Sequence, residues 1–399
     1  MRTIKDIQRQ KNMAYEDEFL LCIECAKDIR LKKLIQTINR KDVCSCCGNT
    51  EFVIDIDSNE FVQMIKALVR YHYSEWDYNE HWGGDGLYSL FYEDDIFFNK
   101  QNFKDKDEYG EFIDRVMSFE VYEDYDKGVS IFAGYYKGEQ NPLLCSIKSD
   151  LDHSIKNIED RLKNENYFKF ENQVSKILSV YSERCKVVIK EKAEFYRARI
   201  GVQDKKRDFF SGGFEAEMVF EPYSNSQIGA PPPHLSGFGR INRAGVSYLY
   251  CATDKHTAIS EIRPHPGDIV SIGKFFTNKE LVMFDLTEVQ FLKYYQNDKK
   301  LDDFKTLNTF TQLMQKVVPP SERQAYNITQ LIADCIRKLN FDGILFPSSV
   351  GGGSNIVVFS PENMDYTYKD ADVVEIKAVN YEHSKRRWVK DISEIEELQ

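Results

Sequence analysis

Four cysteines near the beginning of the chain have the spacing of a zinc site. Two residues lie between Cys22 and Cys25, two lie between Cys44 and Cys47, and eighteen separate the two pairs. Each Cys-x-x-Cys pair directs two thiolates to one metal, and two pairs complete a tetrahedral shell. Four protein ligands leave no position for water, so the pattern predicts a structural zinc ion. Cys46 is the spare residue, and the alternative is a set of reduced cysteines whose spacing is accidental.

A second group of polar residues lies in the C-terminal half, around short apolar segments that alternate with Gly and Pro clusters. Common phosphate and hydrolase motifs such as G-x-x-x-x-G-K-[ST], H-E-x-x-H and G-x-S-x-G do not occur in the sequence. The polar group is therefore the remaining candidate for chemistry, although a single glutamate on a helix is usually solvated or ion-paired. Its members are Arg197 and Arg199 in FYRARI, Arg240, Asn242 and Arg243 in a Pro/Gly-rich loop, Glu261 in SEIR, and Ser348, Ser349 and Asn355 around a triple glycine.

The elements that must position these residues predict an α+β fold. Apolar residues at intervals of three and four predict a helix that begins at an N-cap Ser58, and two more helices near 150–165 and 171–188. After residue 192 the sequence pattern predicts short β-strands and two further helices, one after Asp254 and one after Ser321. We therefore expect a mainly helical N-terminal domain and a mixed β domain. The predicted strands are 195–200, 247–253, 269–276, 280–286, 343–348 and 355–360.

Length and charge narrow the classes of partner. The 399 residues suggest two domains at roughly 100–200 residues each. The formal charge is −11, and residues 51–150 carry 22 acidic against 9 basic residues, which argues against nucleic acid as a partner.

No apolar run is long enough to span a membrane, and the N-terminus is too polar for a signal peptide. With scattered cysteines, these features predict a cytoplasmic protein. The stretch 71–98, rich in aromatic and acidic residues, predicts either core packing or a binding groove.

Three motifs in order resemble the RES domain, a family named after its Arg, Glu and Ser. They are YRAR, then GRIN-x-x-G-x-x-YLYCA-x5-A-x-x-E, then PSS-x-GGGSN-x-VVF, and they span about residues 190–365. The resemblance implies a fold like that of ADP-ribosyltransferases and an enzyme that consumes NAD+, in many members as a bacterial toxin. Motif by motif, it implies Arg197, Glu261 and Ser348 as the signature residues, with Ser349 as an alternative serine. It also implies an NAD+-binding set of Arg240, Asn242, Tyr250, Ser349 and Asn355.

The N-terminal part resembles the helical domain, classed with HEPN domains, that is fused to some RES proteins. The predicted domains are accordingly a zinc-ribbon module at 1–50, a helical acidic domain at 51–190, a RES domain at 191–370 and a C-terminal extension at 371–399. A ribonuclease motif of the form R-x4-6-H is missing, because Arg70 and His72 are only two residues apart. RNA cleavage is therefore not expected.

NAD+ chemistry gives each implied residue a role. Cleavage of the N-glycosidic bond develops positive charge on the ribose, which the Glu261 carboxylate would stabilise. Arg197 and Arg240 would bind the pyrophosphate, assisted by backbone N–H groups of Gly351 to Gly353. Ser348 would donate to a phosphate, and Tyr250 would orient the nicotinamide ring.

The sequence thus predicts an enzyme that degrades NAD+ by phosphorolysis or hydrolysis, as a toxin or abortive-infection effector. The partners expected are NAD+, inorganic phosphate, an antitoxin or activator, and a second copy of the chain. One alternative is transfer of ADP-ribose to a protein or nucleic acid. The other is a non-enzymatic module in which a zinc ribbon and an inactive NAD-like pocket serve interaction or sensing.

Overall fold

A small three-stranded sheet carries the cysteine pairs near the beginning of the chain. The computed structural model describes residues 18–78, 83–117, 145–208, 217–318 and 325–380. Strands β1 (Leu20–Cys22), β2 (Arg40–Val43) and β3 (Thr50–Asp55) pair antiparallel in the order β1-β3-β2. Helix α1 (Ile29–Ile38) follows β1, and Asp28 caps it by accepting the N–H of Arg30.

Helices follow between residues 59 and 181. The predicted N-cap is confirmed, because Ser58 accepts the N–H of Phe61 at the start of the first of these helices. A mainly helical N-terminal domain remains a prediction, since residues 1–17, 79–82 and 118–144 lie outside the described ranges. The helices are α2 (Asn59–His72), α3 (Glu75–Tyr78), α4 (Leu87–Glu93), α5 (Lys106–Met117), α6 (His153–Arg161) and α7 (Phe168–Tyr181).

The helix predicted over 171–188 is wrong at its C-terminal end. Helix α7 stops at Tyr181, and β4 (Lys186–Ile189) follows as a strand. The β-branched run Val187, Val188 and Ile189 favours an extended backbone, and Val188 lies opposite Val282 in the large sheet.

Aromatic side chains of the 71–98 stretch divide between core and surface. Tyr71, Tyr73, Phe91 and Phe97 are buried, as core packing predicts. Trp76 is 52% exposed, so packing does not account for every ring of the stretch. Residues 79–82 lie outside the described ranges.

A nine-stranded mixed sheet forms the centre of the C-terminal half. Its order is β13-β9-β5-β8-β12-β11-β10-β4, with β14 also paired to β9, and only the β10–β11 pair among these is parallel. All six strands predicted from the sequence are present in it, with ends shifted by at most two residues. The strands after β4 are β5 (Glu194–Ile200), β8 (Leu249–Ala252), β9 (Ile269–Thr277), β10 (Leu281–Asp285), β11 (Gly343–Pro347), β12 (Ser354–Val358), β13 (Met364–Tyr366) and β14 (Asp372–Glu375); β6 (Asp204–Asp208) and β7 (Glu217–Glu221) form a separate hairpin.

Three helices accompany the large sheet: α8 (Lys255–Glu261), α9 (Asp298–Gln315) and α10 (Asn327–Lys338). Asp254 caps α8 by accepting the N–H of Thr257, as the sequence predicts. Helix α10 corresponds to the helix expected after Ser321, a residue outside the described ranges. Helix α9 was not predicted at all.

One apolar core includes residues from Leu20 to Phe359, so side chains from both halves of the chain pack together. The predicted domain boundaries near 50, 190 and 370 remain predictions. Among the described residues, no helix combines the length and apolar character that crossing a membrane requires. The architecture is therefore α+β, with helices of both halves packed around one large mixed sheet.

Candidate functional site

A cavity of about 350 Å³ lies where β5, β8 and β12 meet α8. This volume is near the lower end of the roughly 300–1,000 Å³ typical of small-molecule sites. Three arginines and one glutamate are the charged residues of its wall, which gives the cavity a net positive charge. The lining residues are Tyr196, Arg197, Ala198, Arg240, Tyr250, Cys251, Ala252, Ala258, Glu261, Ile262, Arg263, Val318, Tyr326, Phe346 and Asn355.

Glu261, at the end of α8, is fixed by two side chains from the neighbouring β11–β12 hairpin. Its Oε1 atom accepts hydrogen bonds from Ser348 Oγ at 2.6 Å and from Asn355 Nδ2 at 2.6 Å. In the part of the chain that the structure describes, Oε2 accepts none. Two donors thus hold one carboxylate oxygen and leave the other available to a ligand.

Ser348 is held in turn by the loop that follows it. Its Oγ accepts the N–H groups of Val350 at 3.2 Å and Gly351 at 2.9 Å, while its hydrogen is donated to Glu261. Ser349 does not line the cavity and makes no side-chain hydrogen bond in the described structure. Of the two candidate serines, the structure therefore brings Ser348 to Glu261.

The triple-glycine loop packs on the beginning of α8. The N–H of Gly351 donates to Ser348 Oγ, and the N–H of Gly353 donates to Thr257 Oγ1 at 2.9 Å. A Cβ on Gly351 would lie 2.8 Å from Thr257 Cα, and one on Gly353 would lie 2.0 Å from Asp254 Oδ2. Both amides thus donate to side chains of the protein, and their binding of pyrophosphate remains a prediction. The lack of a side chain at these glycines permits close packing of loop against helix.

Arg197 is a partly buried cation that has no carboxylate partner among the described residues. It lies on β5, and its Nη1 donates to the carbonyl of Tyr250 at 2.8 Å, while its buried Nε has no partner within the described structure. Burial lowers the pKa of the Arg197 guanidinium from its ordinary value. Glu194, three residues earlier on the same strand, pairs with Lys274 at 2.8 Å. A partly buried cation of this kind suits an anionic ligand, because the ligand would supply the missing countercharge.

Arg240 reaches the cavity from the Pro/Gly-rich loop. Its Nη1 donates to the carbonyl of Met314 at the end of α9, and its guanidinium lies 5.8 Å from the ring centre of Tyr326. Thr329, on α10, donates its hydroxyl to the Arg240 carbonyl. Arg240 is thus positioned by α9 and α10 rather than by the sheet.

Asn242 and Tyr250 stabilise the same loop through side-chain hydrogen bonds. The Tyr250 hydroxyl donates to Asn242 Oδ1 at 2.7 Å and accepts the N–H of Ile241 at 3.1 Å. Asn242 is 5% exposed, and its Nδ2 lies within 3.2 Å of four oxygens, those of Ser236, Gly237, Arg243 and Val246. The structure therefore does not bring Asn242 to the cavity, because its amide is consumed within the loop. Tyr250 lines the cavity, and burial raises the pKa of its hydroxyl.

The segment that leads into α6 holds α9 from the opposite side. Thr306 donates to Asp152 Oδ2 at 2.6 Å, and the N–H of Asp152 donates to Thr309 Oγ1 at 2.9 Å. Lys316, just beyond α9, pairs with the buried Glu159 of α6 at 3.1 Å. Because α9 also accepts Arg240, the N-terminal half of the chain contributes to the geometry of the cavity.

Sequence reasoning missed Arg263 and Tyr326 as lining residues. Arg263 lies two residues after the end of α8 and has a φ of 48°, a left-handed backbone rare for residues other than glycine. No sequence pattern signals such a backbone at an arginine. Arg199, on the same strand as Arg197, stacks 5.0 Å from the ring centre of Tyr223 and does not line the cavity.

The four predicted zinc ligands form a second site, the cysteine cluster (Cys22, Cys25, Cys44 and Cys47), whose sulfurs lie within 4.8 Å of one another. The Sγ atoms of Cys22 and Cys47 are 3.6 Å apart, and those of Cys25 and Cys44 are 3.8 Å apart. Zn–S bonds of about 2.3 Å in a tetrahedron place sulfurs about 3.8 Å apart. The donor set thus fits zinc, and Cys46 is not part of it.

These features define an α+β protein with a cationic small-molecule cavity and a tetrathiolate cluster. A family model of the RES domain matches residues 215–376 of the chain. The match includes Glu261, Ser348 and Asn355, whereas Arg197 lies before it.

No curated protein matches the chain. One solved structure is similar over part of it: a chain from the crystal structure of the M. tuberculosis MbcT–MbcA toxin–antitoxin complex. The identity is 11%, the TM-score is 0.28, and the alignment covers 51% of this chain and 92% of that chain. A TM-score of this size does not establish a shared fold.

Proposed function

We propose that this protein cleaves the bond between nicotinamide and ribose in NAD+, with water or inorganic phosphate as acceptor. The observation that carries the proposal is the Glu261 carboxylate, held through one oxygen by Ser348 and Asn355 in a cavity that also contains the unpaired cation Arg197. The RES domain match supports NAD+ as the substrate class.

The carboxylate of Glu261 would act on the ribose. As the bond from ribose C1″ to nicotinamide N1 breaks, its electron pair leaves with nicotinamide, which becomes neutral, and positive charge develops on the ribose ring. The Oε2 atom of Glu261, which accepts no hydrogen bond in the described structure, would stabilise this charge beside the ribose. An oxygen of water or phosphate then bonds to C1″. Water releases one proton to the solvent and gives ADP-ribose, whereas an anionic phosphate oxygen attacks without losing a proton and gives ADP-ribose 1″-phosphate; nicotinamide is the other product in both cases.

The arginines would hold the diphosphate. Arg197 lacks a carboxylate partner, and Arg240 is anchored through one nitrogen, which leaves donors of both guanidinium groups for phosphate oxygens. The cavity volume suits the nicotinamide ribose and the adjacent phosphate, with the adenosine part extending outward. The aromatic ring of Tyr250 is available to orient nicotinamide.

The cysteine cluster would hold a structural Zn²⁺ that stabilises the N-terminal sheet, since four thiolates leave no coordination site for substrate. In the biological setting we propose a cytoplasmic toxin, restrained by an antitoxin or released by an activator, as the RES resemblance implies. Loss of NAD+ would then be the toxic effect. A second copy of the chain is a further expected partner.

The test is to incubate the purified protein with NAD+, with and without phosphate, and to identify products by mass spectrometry. Glu261→Gln removes the charge, and we expect its rate to fall roughly 100-fold or more. The exposed Glu280→Gln, outside the cavity, is the matched control. ADP-ribose 1″-phosphate identifies a phosphorylase and ADP-ribose a glycohydrolase.

Other outcomes favour the alternatives. Label from NAD+ on a macromolecule favours an ADP-ribosyltransferase. Intact NAD+, together with equal growth of cells that express wild type or Glu261→Gln, favours a non-enzymatic module.

A further inference from the structure

Arg263 differs from the other charged residues of the cavity. Glu261 is held by two side chains, and Arg197 and Arg240 each donate to a main-chain carbonyl. The Arg263 guanidinium makes no hydrogen bond or ion pair within the described structure, and the residue is exposed. It therefore lies where the cavity opens to solvent, with all its donors available to a ligand.

The backbone of Arg263 is one that glycine would adopt more easily. The residue lies two positions after the last residue of α8, its N–H donates to Ser260 O at 3.1 Å, and its φ is 48°. Helices often end in this left-handed conformation, and glycine is the preferred residue there because it has no Cβ to clash. Arg263 thus occupies a position at the helix end where glycine is the preferred residue.

The charge of the cavity points to the ligand group. Three guanidinium groups, of Arg197, Arg240 and Arg263, accompany a single carboxylate, that of Glu261. The excess of two positive charges matches the diphosphate of a dinucleotide or one inorganic phosphate. Arginine binds phosphate oxygens through two parallel N–H donors, which gives orientation as well as affinity.

We propose that Arg263 binds a phosphate group at the open side of the cavity. The inference rests on the proposed function, which supplies two sources of that group: the diphosphate of NAD+ and the acceptor phosphate. Neither the family match nor the motifs single out this residue, and its position in the cavity follows from the geometry of the helix end.

The experiment compares Arg263→Gly with wild type. Glycine suits the left-handed backbone, so the variant removes the guanidinium without straining the helix end. Lys192→Gly is the matched control, because Lys192 is a basic, exposed residue with a φ of 65° that does not line the cavity. Arg263→Lys retains the charge but loses the planar pair of donors.

We expect the melting temperature of Arg263→Gly to equal or exceed that of wild type, while one KM rises about tenfold. A rise in KM for NAD+ at saturating phosphate identifies the diphosphate, and a rise in KM for phosphate at saturating NAD+ identifies the acceptor. Arg263→Lys should lie between, and Lys192→Gly should change neither KM. A lower melting temperature with both KM values unchanged would mean that Arg263 only caps α8, and would overturn the inference.

Equilibrium binding of ADP-ribose separates this inference from the proposed function. If wild type leaves NAD+ intact, the proposed function fails, yet weaker binding of ADP-ribose by Arg263→Gly than by Lys192→Gly still supports the phosphate contact. If wild type cleaves NAD+ and Arg263→Gly matches it in both KM values and in binding, the proposed function stands and Arg263 has no such role.

Discussion

The cysteine cluster and the cavity are assembled in different ways. All four thiolates come from 26 consecutive positions, two from each Cys-x-x-Cys turn, and one small sheet brings the turns together. The cavity takes Arg197 from β5, Glu261 from α8 and Asn355 from β12, which are far apart in the chain. The first site depends on local spacing and the second on the order of strands in a large sheet.

This difference explains how well each site could be predicted. Spacing identified every member of the cysteine cluster and excluded Cys46. For the cavity, motifs indicated residues that the sheet brings together, such as Glu261, Ser348 and Asn355, but also Asn242, whose amide is consumed within its loop. A motif records which residues accompany a site, and the tertiary fold determines which of them face it.

The largest effect should come from removing one ligand of the cysteine cluster. If Zn²⁺ closes the two turns, Cys22→Ser should lose the metal and most of the order of the N-terminal sheet, because metal binding supplies about 10 kcal/mol or more in small zinc domains. Zinc content by atomic absorption and thermal melting would measure this. Cys46→Ser is the control, and it should retain one zinc per chain. A Cys22→Ser protein with full zinc content and unchanged melting would show that spacing alone had misled us.

Arg197→Met should affect activity far more than stability, whereas Cys22→Ser acts first on stability. Arg197 is partly buried and has no carboxylate partner among the described residues, so its replacement by an apolar side chain should change the free energy of unfolding by no more than about 1 kcal/mol, because the desolvation cost of the guanidinium disappears with its charge. Removal of the cation that we assign to the diphosphate should lower kcat/KM for NAD+ about 100-fold. Arg199→Met, on the same strand but outside the cavity, should leave kcat/KM unchanged. If Arg197→Met destabilises the fold while its folded fraction keeps the wild-type kcat/KM for NAD+, then Arg197 has a structural role only.

Much of the secondary structure could be predicted because its signals are local. Ser58 and Asp254 each accept an N–H of the helix that follows, and the apolar runs of β9 and β10 are buried strands. Helix α9 was missed because burial extends around it and includes polar residues. Asn308, Thr309 and Thr311 are buried there, so no apolar stripe marks one face.

Arg263 and the glycine loop could not be predicted for a related reason. A left-handed backbone at an arginine depends on how α8 ends, and arginine is not a residue that signals the end of a helix. The sequence Gly351 to Gly353 suggested a phosphate-binding loop. In the structure the N–H of Gly351 donates to Ser348 and that of Gly353 to Thr257, and a Cβ on either glycine would overlap atoms at the beginning of α8. The contacts of the glycines are a consequence of packing between segments distant in the chain.

Gly353→Ala measures how tightly this packing sets the cavity. An added Cβ would overlap Asp254 Oδ2, and relief of the clash should cost about 1–3 kcal/mol in the free energy of unfolding. Because the same loop holds Ser348 against Glu261, kcat should fall as well. Gly352→Ala is the control, since a Cβ there meets no atom within 4 Å. Equal denaturation curves and equal kcat for the two variants would contradict this account of the loop.

The smallest effect concerns the contact between the two halves of the chain. Lys316 pairs with Glu159 close to the carbonyl that accepts Arg240, and Lys316→Met removes this pair. The Lys316 side chain is 51% exposed, so we expect a loss of less than about 1 kcal/mol in stability and roughly a twofold rise in KM for NAD+. Lys299→Met, an exposed change at the start of α9, should alter neither value. If Lys316→Met lowered kcat/KM for NAD+ as strongly as Arg197→Met, a single surface contact would control the cavity. That result would contradict our view that the order of strands in the sheet forms the cavity.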